Sequence, residues 1–241
     1  MNLSETTLPA FTALPASTHM LSRRPVSVPY ITAWSGETRR TEAIVPNRMG
    51  TGITFLDGET VQDRDERGAL WASRGLAPGR GEPLFGHVHS QRQRRCMRRR
   101  LCQVCGGPAD HTNDGTLWLL DTAGVEGPFP LDVERTMQPP VCRRCALTAP
   151  SLCPALRRSH ALVRVRKHTI VGVYGHQYRY CRTARQVVSD GEEYVYYGAP
   201  ALRWTLAGQL FIHMTGISRV PDEEIDRWRE REASGQRGAG L

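Results

Sequence analysis

Seven cysteines occur in this 241-residue chain, and four of them are spaced for chemistry. Cys102 and Cys105 form one Cys-x-x-Cys pair, and Cys142 and Cys145 form a second. A tight turn brings both sulfurs of such a pair to one point. This spacing, with an odd cysteine total, fits metal binding in a reducing compartment better than a disulfide framework. Two pairs supply four thiolates, which complete the tetrahedron that zinc prefers at about 2.3 Å and leave no position for a reactive water. The expectation is one structural Zn2+ per chain, held by Cys102, Cys105, Cys142 and Cys145. Gly106-Gly107-Pro108 lets the backbone turn back over the metal, since glycine accepts positive φ. Pro139-Pro140 precede the second pair, and Ala146-Leu147 follow it with residues that start a helix. His111, six residues past Cys105, is expected to be a loop histidine rather than a ligand, and Cys153 a buried cysteine.

The second chemical feature is a run of arginines. Arg92, Arg94, Arg95, Arg98, Arg99 and Arg100 lie just before the first cysteine pair, and Arg143 and Arg144 lie inside the second. The net charge of +8 is concentrated: residues 85–170 carry 14 basic against 6 acidic side chains, whereas the flanking parts are each balanced at 9 against 9. A clustered positive field attracts polyanions, and each guanidinium can hold a phosphate through a forked pair of hydrogen bonds. On a helix, Arg92, Arg95 and Arg99 share one face and Arg94 and Arg98 another, with Arg157 and Arg158 extending the surface. A competing reading pairs these arginines with Asp63, Asp65 and Glu66, or leaves them as a solvated face. Lys167 is the only lysine, so the arginine excess also fits a GC-rich gene and is not by itself a sign of bidentate contacts.

Several elements must position these residues. Strands are expected over residues 26–32, 52–56, 116–120, 161–166, 170–174 and 193–197, from β-branched and aromatic content between turn signals such as Asp57-Gly58 and Asp190-Gly191. A helix is expected over 84–101, a shorter one from Cys142 towards Pro154, and another over 200–214, where Leu202, Leu206, Leu210 and Met214 recur every fourth position. Pro221 followed by Asp222, Glu223 and Glu224 marks a last helix start, anchored by Ile225 and Trp228 and ending in a Gly-rich tail. Tyr174, His176, Tyr178 and Tyr180 alternate, as on the aromatic face of a small sheet. The fold class is α+β, with small mixed β-sheets and helices around a central zinc module. The linear organisation is a disordered leader (1–25), a β-rich N-terminal part (26–84), the Arg-rich helix and four-cysteine zinc module (85–160) and an α+β C-terminal part (161–241).

Knuckle, hairpin and second pair at a helix start is the order of treble-clef zinc modules, which this stretch resembles. Some treble clefs carry a His-Asn-His nuclease site. Asp110, His111 and Asn113 match it superficially, but they come too early after the knuckle, and Ala146 stands where that family usually has a histidine. Residues 60–175 as a whole resemble a family of proteins from high-GC Gram-positive bacteria and their phages. The resemblance is carried by Asp63-Arg64-Asp65-Glu66-Arg67-Gly68 ahead of Trp71, the Arg-rich run into the first cysteine pair, Pro139-Pro140-Val141-Cys142, and Cys153-Pro154-Ala155-Leu156-Arg157-Arg158. It implies a bacterial cytoplasmic protein and no particular catalysis.

Other chemistries leave no signature. The Gly-x-Gly-x-x-Gly fingerprint, the Walker loop, His-Glu-x-x-His and Gly-x-Ser-x-Gly are all missing from the sequence. The spacing of His87-Val88-His89 suits a strand face better than a helix face. Neither a run of about 18 apolar residues, as a membrane span needs, nor a secretory signal is present. The leading expectation is a cytoplasmic, zinc-stabilised, nucleic-acid-binding protein of a regulatory kind, with DNA or RNA as partner and no membrane. A protein-interaction scaffold with structural zinc and a protein partner is the second reading. An enzyme of unrecognised type, including a divergent His-Asn-His-like nuclease, is the third.

Overall fold

A computed structural model describes residues 28–38, 43–122 and 135–237. The expected leader (1–25), the Gly-rich tail and most of the segment between Asp121 and Gln138 lie outside the described residues. In chain order the elements are β1 (Thr32–Trp34), β2 (Ile44–Pro46), β3 (Ile53–Phe55), β4 (Leu70–Trp71), β5 (Pro83–Val88), α1 (Ser90–Arg99), β6 (His111–Thr112), β7 (Gly115–Asp121), β8 (Arg135–Thr136), α2 (Arg143–Leu152), α3 (Pro154–Arg158), β9 (His160–Cys181), β10 (Gln186–Tyr196), a 3-10 turn (Pro200–Trp204), β11 (Thr205–Arg219) and α4 (Asp222–Arg237). The protein is thus a mixture of helix and strand.

The chain forms two compact units. The first is built mainly from Ile31–Arg92 and Val171–Phe211, the second mainly from Gln93–Ile170 and the residues from Ile212 onward. The linear boundaries expected at 84/85 and 160/161 fall inside β5 and at the start of β9. Strand pairing, which joins residues far apart in sequence, sets the units instead.

In the first unit, β1 pairs antiparallel with β5 (Ala33 opposite Leu84), β2 with β3 (Ile44 opposite Phe55), and β10 with β9 (Tyr194 opposite Tyr174). Strand β4 runs parallel to β11, with Leu70 opposite Leu206. Ile44, Ile53, Phe55, Leu70, Tyr178, Val187 and Leu206 form its core. Tyr178 therefore belongs to packing. Tyr174 and Tyr194, opposite one another across β9 and β10, meet at 4.8 Å between ring centroids.

One expected helix is shorter than expected, and another is a strand. Residues 83–88 are the strand β5, and Gly86 within it has φ of 90°, outside any right-handed helix. The helix begins only at Ser90. Residues 205–219 form strand β11 rather than a helix. A spacing of four residues keeps side chains on one helix face, but it also equals two strand periods, so Leu202, Leu206, Leu210 and Met214 fit both. Burial of successive residues on both faces, Thr205 to Ala207 and Leu210 to Ile212, hides the alternation that would have identified a strand. The two strands expected at 161–166 and 170–174 are one continuous strand.

In the second unit, β6 and β7 form a hairpin across Asn113-Asp114, and β7 pairs antiparallel with β9 (Leu117 opposite Arg164, Leu119 opposite Leu162). Helix α2 contains Pro150 and ends at Cys153, after which Pro154 restarts the chain as α3. Proline removes a helix donor in the first position and is pre-set for a helix start in the second. Cys153 is half-buried at this joint rather than buried.

Helix α1 is made mostly of good helix formers, Arg, Gln and Met, and is followed by a left-handed residue, Arg100, with φ of 52°. The Leu101 amide donates back to the Cys96 carbonyl at 3.0 Å, the hydrogen bond that closes a helix over such a residue. Glycine is the residue that adopts this conformation without Cβ strain. Arg100→Gly is expected to stabilise the protein by roughly 1 kcal/mol. The check is a urea midpoint that rises at unchanged m-value.

Candidate metal centre

The backbone around the first pair builds a knuckle. The Cys102 amide donates to Gly107 O at 2.7 Å, and the Gly106 amide donates to Cys102 O at 2.8 Å. Gly106 holds φ of 73°, and a Cβ there would lie 2.9 Å from the Tyr30 ring. Any other residue would both strain this turn and collide with that ring. The Tyr30 amide donates to Val104 O at 2.8 Å, fastening the same turn from outside.

Three backbone hydrogen bonds tie the knuckle and hairpin to the second pair. The Gln103 amide reaches Pro140 O at 3.0 Å, the Asp110 amide reaches Val141 O at 3.0 Å, and the Val141 amide reaches Leu117 O at 3.0 Å. Cys142 caps α2, and Cys145 lies in its first turn. The positive end of the helix dipole there favours thiolates.

The four sulfurs of Cys102, Cys105, Cys142 and Cys145 lie within 4.8 Å of one another. Cys105 Sγ and Cys142 Sγ are 3.8 Å apart. Sulfurs at about 2.3 Å from a tetrahedral ion are about 3.8 Å from each other, so this spacing suits a metal. Without one, the thiols must share protons. Hydrogen bonds from Cys142 and Cys145 pull Cys102 down to about 2, against its burial. The same sharing pushes Cys142 up to about 11, and Cys145 up as well. Four thiolates at this spacing require a dication among them, and binding it displaces the protons. The cysteines are positioned to hold a metal ion, and an all-thiolate set suits a soft, borderline metal such as zinc.

The centre is part of the core of its unit. Cys102 and Cys145 are buried together with Leu117, Leu119, Val141, Ala146, Ala149, Leu162, Val220 and Trp228. His111 stands apart from the sulfurs. It lies in β6 rather than in a loop, and its Nδ1 is 3.0 Å from Thr116 Oγ1. Cys96 is buried beside the knuckle, its thiol directed at Cys102 O at 3.8 Å, and burial pushes it up to about 12.

The arginines divide. Arg92 does not face solvent, which corrects its expected phosphate role. It is 3% exposed; its guanidinium donates to both carboxylate oxygens of Glu37, at 2.5 and 2.8 Å, and to Thr32 O at 2.6 Å. The acidic partner of Arg92 is not in the Asp63–Glu66 loop, whose two aspartates accept from other residues. Asp63 caps Thr60, and Asp65 accepts from Trp71 Nε1 and the Tyr197 hydroxyl. Arg94 is half-buried, whereas Arg95, Arg98, Arg99 and Arg100 are exposed, as are Arg144, Arg157 and Arg158. Arg143 is half-buried, with Nε 2.8 Å from Asp110 Oδ1 and its guanidinium 5.3 Å from the Trp228 ring centre.

Asp110 also binds the buried Arg164, whose guanidinium lies 3.5 Å from Glu224 and 5.5 Å from the same Trp228 ring. Asp110 thus joins two arginines and is committed to packing α4 against the centre. Glu37, Arg164 and the Asp110 bridge carry no local sequence signal. Arg92 does carry one: it stands four residues before Cys96, and Arg92, Gln93, Cys96 and Met97 form the buried stripe of α1.

No family model, curated protein or solved structure matches this chain. Among the described residues, no helix is long and apolar enough to cross a membrane.

Proposed function

We propose that this protein binds the phosphate backbone of DNA or RNA through arginines displayed on a treble-clef-like module built around one structural zinc ion. The observation that carries this reading is the exposure of Arg95, Arg99 and Arg100 at the end of α1, just before the knuckle, together with Arg144 between the cysteines of the second pair. Arg95 and Arg99 are one helical turn apart and face the same way. The sequence of knuckle, β6–β7 hairpin and second pair at the start of α2 supports the treble-clef assignment. The closed thiolate set supports zinc in a structural role. A bacterial cytoplasmic setting, which the resemblance of residues 60–175 to proteins of high-GC bacteria and phages implies, is part of this proposal.

Phosphate contacts make binding salt-dependent through counterion release. Fluorescence anisotropy with labelled duplex DNA, single-stranded DNA and RNA, between roughly 50 and 200 mM salt, is the test. Arg95→Ala/Arg99→Ala/Arg144→Ala is expected to flatten the log K against log salt slope by about 0.9 per lost duplex contact, or about 0.7 for a single strand. Sequence preference should change little, because backbone contacts carry no base readout. Absence of binding at the lowest salt, or a triple variant indistinguishable from the parent, rejects the reading. Co-purification of a stoichiometric protein partner in place of nucleic acid would favour the scaffold reading.

A further inference from the structure

The four sulfurs differ in their access to solvent. Cys102 is fully buried and Cys145 is 8% exposed, Cys142 is intermediate, and Cys105 is exposed. Gly107 lies beside the Cys105 sulfur, which is 3.5 Å from where a Cβ on that glycine would stand, and adds no side chain over it. Cys142 Sγ stands 3.8 Å from the sulfur of Cys105, and these two residues are the less buried pair of the four. A metal keeps both as thiolates, the nucleophilic form of cysteine, and solvent-accessible thiolates with a nearby second cysteine are the ones oxidised reversibly.

We infer that Cys105 and Cys142 form a peroxide-modifiable pair whose oxidation to a disulfide ejects the metal. It rests on the metal reading above but not on nucleic-acid binding. The Cys105 thiolate attacks one oxygen of hydrogen peroxide; the O–O bond breaks, a sulfenic acid forms, and hydroxide leaves and takes up a proton. The Cys142 thiolate then attacks the Cys105 sulfur; the S–O bond breaks, and a second hydroxide leaves and is protonated. Two thiolates lose two electrons, and the peroxide becomes two waters using two protons from solvent. Only Cys102 and Cys145 remain as ligands, half of the set that zinc needs. A thiol reductant plus zinc reverses the reaction.

The experiment uses the full chain, with metal content measured first. A chain purified with thiols protected but carrying no zinc overturns the metal reading and this inference with it. With a loaded chain and hydrogen peroxide alone as the probe, a chromogenic chelator is expected to report one zinc released per chain. Peptide mapping without reductant should find Cys105 joined to Cys142. Cys105→His, which keeps a zinc donor but removes the oxidisable sulfur, should slow release at least tenfold. Cys153→Ser and Cys181→Ser should leave it unchanged. Zinc retained under peroxide, or a disulfide mapped to another pair, overturns the inference while leaving the metal reading standing. If Cys105→His does not fold, the mapped disulfide of the parent chain decides alone.

Discussion

Removing the metal with a chelator at neutral pH is expected to unfold the Gln93–Ile170 unit, not merely to loosen a surface loop. Cys102 and Cys145 are core residues, packed with Leu117, Leu162 and Trp228. Zinc in small four-ligand modules contributes on the order of 10–16 kcal/mol of apparent binding free energy, comparable to or larger than the ~5–15 kcal/mol stability of a whole domain. Trp118 and Trp228 are both buried in this unit, so their fluorescence should shift to the red on chelation. Amide protection across the β6–β7 hairpin and α2 should disappear. Docking of α4 should fail as well, since Arg143 follows Cys142 directly and holds both Asp110 and the Trp228 ring. Acid acts in the same direction, because the thiols must lose protons to bind metal. A chelated chain with unchanged melting and unchanged exchange would show that the four sulfurs hold nothing the fold needs.

The second large effect belongs to the other unit. Glu37→Ala is expected to destabilise by about 3–5 kcal/mol, because it leaves the buried Arg92 charge without its carboxylate. That loss should lower the melting temperature by on the order of 10 °C. Two backbone donors lose their acceptor too: the Trp34 amide at 2.9 Å and the Ala77 amide at 3.2 Å. Replacing both partners, as in Glu37→Met/Arg92→Met, should cost less than Glu37→Ala alone, since no charge is then stranded.

Burial alone would push the Glu37 carboxyl up. Hydrogen bonds from Arg92 and the Trp34 amide, with the charges of His89 and Arg92, hold it below the ordinary value. Burial depresses His89 in turn, against a hydrogen bond to Gly75 O. Both groups have folded-state values below their unfolded ones. Their contributions are therefore present above the unfolded values and are lost as pH falls, His89 first below about 6.5 and Glu37 below the carboxylate range. A melting temperature that stays flat from neutral pH to about pH 4 in the parent chain, measured on the transition that Glu37→Ala perturbs, would contradict this.

How much of this could be read in advance depends on distance along the chain. The four cysteines are legible because both members of each pair sit in one turn, and the flanking glycines, prolines and helix start are local too. The hairpin strand β7 and the start of α4 are legible for the same reason. Helix α1 is legible from Ser90 onward, but residues 84–88 read as helix only when Gly86 is given less weight than the charged run behind it. Strand β11 fails differently: a run buried on both faces has no period that distinguishes strand from helix. The arginine cluster shows the limit most clearly. A charge run does not reveal which member turns inward, and the carboxylate that claims Arg92 lies 55 residues away. Asp110 is likewise claimed by an arginine 54 residues further on. Such pairings are set by the closed fold, so the arginines left for a ligand can be counted only once these have been subtracted.

The passages of the chain between its two units bear on how this protein can be cut or inherited. Three of them fall inside regular elements: at 92/93 within α1, at 170/171 within β9 and at 211/212 within β11. None of the three is a linker where a gene fusion, a stop codon or a protease nick would release an intact half. A fragment ending at any of these points leaves a helix or strand truncated mid-run, its backbone donors and acceptors open. Synthesis must reach β11 before β4 has its parallel partner. The nascent chain therefore carries an incomplete first unit until Leu206 and Ala207, more than 130 residues after β4, have been added.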